Sequence, residues 1–392
     1  MTAQENKKYI YIILTAIFVA YFGESIYGWV FNNYLDEVHH IGAGERGMLE
    51  FPRELPGILA VFAVGGLFFL TESGVAAFAC ILLGTGILAL AFPFFSSGMG
   101  LLFFWIILAS FGQHIFLVIV DAIVLHSASP ETRSIRLGQM KGMITAATLV
   151  GSLYIWFKWK YINHNFTIDF IIGAALCFCA ALIFSRSKTK SFPRHASWRE
   201  RLVFKKRYYL YYLLETFFGA RKQIFLTFGF WVMVSTLGKS PEYIGKIMLI
   251  AGVIGLFARP MMGRIIQRFG ERRVLMVDSV MLFCVCMGYA FALKMFSLET
   301  ATIVISGCFI ADNVLFAFSM ARSSYLARTI ERKEDLTPSL YTGMSINHVV
   351  SILAAILGGY LWSFFGTHIW VFLLAGLLAV GSGIVASRLP DE

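Results

Sequence analysis

The sequence predicts an all-α membrane protein of twelve transmembrane helices in two pseudo-symmetric six-helix bundles, on three observations. The first is composition: 392 residues are 58% hydrophobic and only 14% charged, with a mean hydropathy of +0.72. A soluble domain carries about 25% charged residues because its surface faces water, so most of this surface faces hydrocarbon. The second is a series of apolar runs, each near the roughly 20 residues that cross a bilayer as a helix. The third is a central break from Ser185 to Tyr208, where nine Lys and Arg stand against a single acid, Glu200.

The first six runs fall at residues 9–34, 46–70, 75–95, 100–127, 136–157 and 166–185. Lys7 and Lys8 ahead of the first resemble the start of a signal peptide, but the run is too long for one and is read as a retained helix. Six more runs follow at 208–236, 242–266, 273–296, 301–328, 338–363 and 368–388. None shows the alternation over about ten residues that a barrel strand requires. The expected organisation is an N-terminal bundle over 1–185, a basic cytoplasmic linker over 186–207 and a C-terminal bundle over 208–392.

Charge placement sets the expected topology. Arg133, Arg136, Arg268, Arg272, Arg273, Arg328, Arg332 and Lys333 lie in connections on the linker's side, whereas the opposite side carries only Lys158, Lys160, Lys239 and Lys294. Under the positive-inside rule both termini are cytoplasmic, in a multi-pass protein of the bacterial cytoplasmic (inner) membrane. The net charge of +10 then reports topology and contact with anionic membrane lipid, not a nucleic-acid partner. The six cysteines all lie in apolar runs without a CxxC, which fits small packing residues rather than metal ligands or disulfides.

The halves resemble each other. Phe22-Gly23-Glu24 is matched by Phe218-Gly219-Ala220-Arg221-Lys222, and LVGSLYIW, ending at Trp156, by AILGGYLW, ending at Trp362. Offsets near 200 at corresponding helices point to a duplicated six-helix unit, a recurring plan of secondary transporters.

After the eighth run the chain reads Gly263-Arg264-Ile265-Ile266-Gln267-Arg268-Phe269-Gly270-Glu271-Arg272-Arg273. This resembles the signature loop of the major facilitator superfamily: a Gly, three residues, an acid, Arg, any residue, Gly, then basic residues. Gln267 stands at the acidic position, and the equivalent first-half loop, Phe69 to Gly74, keeps the Gly without Arg or Lys. The resemblance implies two rocking bundles, a solute path between them, and Gly263, Arg264, Arg268, Gly270, Arg272 and Arg273 as a gating loop. The fifth run, around Gly142 to Ala147, lacks the Gly-Pro signature of the family's proton-driven drug exporters.

Candidate site residues follow from cost. A charge deep in a membrane helix costs about 2.5–3.5 kcal/mol on insertion scales, so it faces a partner or a wet cavity. Glu24 lies about 22 Å along the first helix at 1.5 Å per residue, and Arg221, Lys222 and Gln223 sit at similar depth in the seventh. The resemblance implies that these two helices line opposite sides of the substrate path, so that an acid faces a basic pair. Arg221 and Lys222 suit an anionic solute; Glu24 suits proton exchange. The competing reading is a structural salt bridge of Glu24 with Arg221 or Lys222, with Glu215 as a rival partner of Lys222. Arg221 and Lys222 diverge by about 100° as helix neighbours.

Gln113, Asp312, Asn313 and Asn347 complete the expected solute site; Asp121 and Asp312 join Glu24 as expected proton carriers. Asp121 has Arg133, Arg136 and Lys141 as alternative ion-pair partners. His114 reads as a hydrogen-bonded interior residue, and His348 lies beside Asn347. Arg46, Glu50 and Arg53 are spaced for pairing on one helix face, with Pro52 and Pro56 nearby as kink points. No nucleotide loop, HExxH or GxSxG occurs, so neither enzyme chemistry nor ATP-driven transport is expected, and neither cofactor nor metal. The expected function is secondary transport of a small polar or anionic organic solute by alternating access, with proton symport, by a monomer. Export of drugs or lipid-like molecules is the first alternative, and a non-transporting receptor or membrane enzyme the second.

Overall fold

A computed structural model describes residues 3–66, 70–126, 132–187, 204–332 and 335–390. The helices, in chain order, are α1 (Ala3–Glu37), α2 (Ala43–Met48), α3 (Glu50–Gly66), α4 (Glu72–Leu90), α5 (Met99–His126), α6 (Arg133–Tyr161) and α7 (Phe166–Arg186). After the linker come α8 (Tyr209–Ile224), α9 (Pro241–Met295), α10 (Leu298–Leu315), α11 (Ser319–Thr329), α12 (Leu336–Phe365) and α13 (Ile369–Ser387). Ten segments among the described residues are long and apolar enough to span a membrane. The short α2 with α3, and α8 with its continuation to Thr236, fill the second and seventh places. The all-α membrane architecture is as expected, and among the described residues each of the twelve apolar runs is helical over most of its length.

Local chemistry ends the helices where the sequence changes. Thr71 caps α4 by accepting the Gly74 amide at 3.1 Å, and Asn165 caps α7 by accepting that of Ile168 at 3.3 Å. α9 is two spans in one continuous assignment, broken at Gly270, whose φ of 77° and ψ of 157° are open to glycine alone. The signature-loop glycine thus makes the corner between the eighth and ninth spans. Beyond α8 the helix continues as two π-turns, Phe225–Gly229 and Val232–Thr236.

The chain divides into two compact units. One comprises Met1–His39, Leu55–Arg194 and Ser240–Leu249; the other comprises His40–Glu54, His195–Lys239 and Ile250–Glu392. The division therefore runs through α3 and α9 as well as the linker. Linker residues 188–203 lie outside the described set. In the first unit α1 packs on α6 and α7, and α4 on α5 and α7. In the second, α8 packs on α12 and α13, and α12 on α2.

Small residues set these crossings. A Cβ on Gly23 would stand 2.5 Å from the Gly173 carbonyl oxygen, and one on Gly219 would stand 2.7 Å from that of Asn347. The duplicated Phe-Gly pair therefore marks a close approach of α1 to α7 and of α8 to α12, beside the charged residues of each helix. All six cysteines are free thiols.

Candidate functional site

The second unit gathers most of the charge. Arg221, on the last turn of α8, donates from Nη2 to Asp312 Oδ1 at 2.9 Å, with both side chains at or below 5% exposure. The guanidinium also lies over the Phe316 and Phe218 rings, 5.6 and 5.8 Å from their centroids. Its Nε and Nη1 are buried without a hydrogen-bond partner. One turn and a half earlier on α8, Glu215 accepts from Arg322 Nε at 2.8 Å and from Asn347 Nδ2 at 3.3 Å. Arg322 in turn sits 3.4 Å from the centroid of Phe218, so this ring separates the two arginines of the cluster.

Lys222 turns elsewhere, as the 100° step between helix neighbours requires. Its Nζ lies 3.6 Å from Glu54 Oε2, and His348 Nδ1 lies 2.7 Å from the same oxygen. Three helices, α3, α8 and α12, thus contribute one group each to a half-buried triad. Gln223 donates to Thr227 Oγ1 at 3.0 Å, while its Oε1 is buried without a partner. Asn313 is spent on its own helix, donating to the Phe309 carbonyl at 3.0 Å.

In the first unit, Glu24 on α1 accepts a hydrogen bond from Gln113 Nε2 on α5, which joins two candidates. His114 Nδ1 lies 2.9 Å from the Ser110 carbonyl one turn earlier on α5. Asp121 meets Lys141, one of its foreseen partners, at 3.3 Å, and both are largely exposed.

The rival pairing of Glu215 with Lys222 is replaced by Glu215–Arg322, and the bridge that Lys222 makes is to Glu54. The physical reason is helix phase and reach: Glu54 enters from α3, a helix distant in sequence, and gives Lys222 a nearer anion. Arg46, Glu50 and Arg53 pair as their spacing predicts, with Glu50 accepting from both arginines. Arg46 and Glu50 are completely buried rather than interfacial.

In the signature loop, Arg264, Arg268 and Arg273 are exposed, and Arg268 leans over the Phe269 ring at 5.3 Å. The acid that works in this region is Glu271, which the sequence pattern did not single out. It is buried, accepts from Ser324 Oγ at 2.7 Å and pairs with Arg328 at 3.1 Å. Asp278 on the ninth span, 7% exposed, was also missed. The signal that flagged Glu24, a charge inside an apolar run, was present in Asp278 as well.

Comparison with known proteins agrees with this architecture. The chain is similar to the solved structure of the nucleoside transporter NupG, with a TM-score of 0.77 at 15% identity over 97% of this chain and 98% of that one. A bacterial homologue of the human lysosomal transporter Spinster, in an inward-facing and unoccupied conformation, gives 0.73 at 13% identity over 99% and 98%. A D-xylose–proton symporter gives 0.69 at 15% identity over 97% of each chain. No curated protein sequence matches. The family model of the Major Facilitator Superfamily matches residues 13–335. With the corner at Gly270 and the apolar spans, that match carries the classification: this multi-pass membrane protein belongs to the Major Facilitator Superfamily.

Proposed function

We infer that the chain is a secondary active transporter that moves a small polar or anionic organic solute by alternating access and draws on the proton gradient. The observation that carries this reading is Arg221, a buried guanidinium with one nitrogen on Asp312 and two without a hydrogen-bond partner. A buried cation with spare donors is costly unless something else uses them. A carboxylate or phosphate takes two parallel N–H bonds from one guanidinium. Lys222, Gln223 and Asn347 lie on the same or the adjoining helix and supply further polar atoms. Glu24 with Gln113 is the corresponding polar pair of the first unit. The solutes named for the similar structures, nucleosides and D-xylose, are polar organic molecules of the same size class.

Both termini are placed on the cytoplasmic side, in keeping with the basic linker and the charged loops on its side. The six-helix bundles over 1–185 and 208–392, joined by 186–207, are the moving parts in this reading. Gly263 to Arg273 serves as the gating loop.

The test begins with a thermal-shift screen of purified protein against a metabolite library, because a bound solute stabilises by mass action. Hits are then followed as labelled solutes into proteoliposomes under an imposed pH gradient. Organic anions or polar solutes should accumulate, and Arg221→Lys, which keeps the charge but loses the fork, should reduce uptake at least tenfold. Selective stabilisation by amphiphilic drugs or lipids, with no polar hit, would favour the exporter. Binding without passage into vesicles would favour a receptor.

A further inference from the structure

We propose that Asp278 is a proton-binding site of this transporter, holding the proton that leaves three clustered acids of the second unit, Glu215, Asp278 and Asp312, one short of full ionisation. The proposal rests on the transport reading above and deepens it by placing the coupling proton on a named residue.

The argument is a charge count in a confined space. Two arginines, Arg221 and Arg322, face three acids, Glu215, Asp278 and Asp312. Arg221 is paired with Asp312 at 2.9 Å and Arg322 with Glu215 at 2.8 Å. Both cations are thereby committed, and Asp278 is the acid left over. It is 7% exposed, its Oδ1 is buried without a hydrogen-bond partner, and it makes no ion pair among the described residues. It nevertheless lies within electrostatic reach of Arg221 and Arg322, and Asp312 feels its charge in turn. The helix packed on its other side, α13, approaches at Gly383 beside Ser279 and carries no titratable side chain. A carboxylate so placed has no counter-charge of its own, and burying an unpaired charge costs far more than burying the neutral acid.

The step is a simple proton exchange. When water enters and solvates the cluster, the carboxyl O–H of Asp278 breaks, the proton leaves to that water as hydronium, and the hydrated carboxylate shares Arg221 with Asp312. A solute anion that takes Arg221 from Asp312 adds negative charge beside Asp278, and the reverse step, proton transfer from hydronium to the carboxylate, reloads it.

Infrared spectroscopy of the purified protein in lipid, at neutral pH, reads the protonation state without any solute. The expected result is a protonated-carboxyl carbonyl band that shifts in D2O, vanishes in Asp278→Asn, is lost also in Asp312→Asn, where Asp278 ionises to pair with Arg221, and persists in Glu271→Gln, which removes a buried acid outside the cluster. Asp278→Asn, nearly isosteric with the neutral acid, should keep the wild-type unfolding midpoint. Absence of the band in wild type, its survival in Asp278→Asn, or a lowered midpoint in that variant would overturn the proposal. Failure of the transport reading shows itself separately, as absence of uptake with the band intact.

Discussion

Neutralising Arg221 tests how the second unit holds its charge. Arg221 and Asp312 are 3% and 5% exposed at the side chain, so solvent screens the pair very little. Removing one partner of such a pair strands the other and costs about 3–5 kcal/mol. The single variants Arg221→Gln and Asp312→Asn should each lose stability of this order. Asp312→Asn should lose less, because Asp278 can release its proton and take over as counter-ion to Arg221. The double variant strands neither charge, so its loss should fall short of the sum by about 2–3 kcal/mol. The assay is a double-mutant cycle on reversible unfolding in mixed micelles of SDS and a mild detergent. Additivity within about 0.5 kcal/mol, or equal losses in the two single variants at high and low pH, would refute the shared-cluster reasoning.

Other outcomes follow from the packing and the loops. Glu50→Ala leaves the fully buried Arg46 without its carboxylate and should cost about 3–5 kcal/mol, read as a lower unfolding midpoint; Arg46→Met with Glu50→Met should restore most of it. Gly47→Leu adds a Cβ 2.4 Å from the Ala355 carbonyl oxygen, so α2 must lift from α12 at about 1–3 kcal/mol, seen in thermal unfolding of the purified variant. Outside the membrane, the hydrogen bond from Lys205 holds the Asp335 carboxyl below the usual carboxylate value. A depressed carboxylate contributes stability above its unfolded pKa of about 4, and loses it as pH falls through the lower folded value. Hydrogen exchange at the Glu331 amide, which donates to Tyr208 Oη at 3.5 Å, should therefore quicken in acid once corrected for intrinsic rate. Lys205→Met should abolish that pH dependence.

Much of the architecture was legible because one physical quantity, the length of an apolar run, decides what spans a bilayer. The Gly270 corner and the enclosure of the Arg221 charge were legible for similar local reasons. The partners were not. Arg221 meets Asp312 across 91 positions, and His348 meets Glu54 across 294, so helix phase and packing decide these contacts and neither is written in a short window. Asp278 shows a different failure: its run is apolar enough to hide one acid, and the cost rule was applied to its neighbours but not to it. Lys158 shows a third. Its position read as an exterior loop charge, yet it is 2% exposed and bonded to Asp169 at 2.8 Å, where Trp159 Nε1 also donates. A hydropathy profile registers the charge of such a lysine but not the neighbour that neutralises it.

The π-turns of the seventh span carry a consequence for how that helix tolerates change. Each holds one residue more than an α-turn would, so the chain from Phe225 to Thr236 stores surplus length, and the first of the two turns places its share between Arg221 and Trp231. Deleting a residue there can be absorbed by tightening a wide turn, leaving the guanidinium and the buried indole in register with their neighbours. The same deletion in α10 has no slack to draw on and would swing Asp312 a third of a revolution away. The seventh span can thus change its winding without losing either anchor, which suits a segment that must turn one end while the other stays fixed.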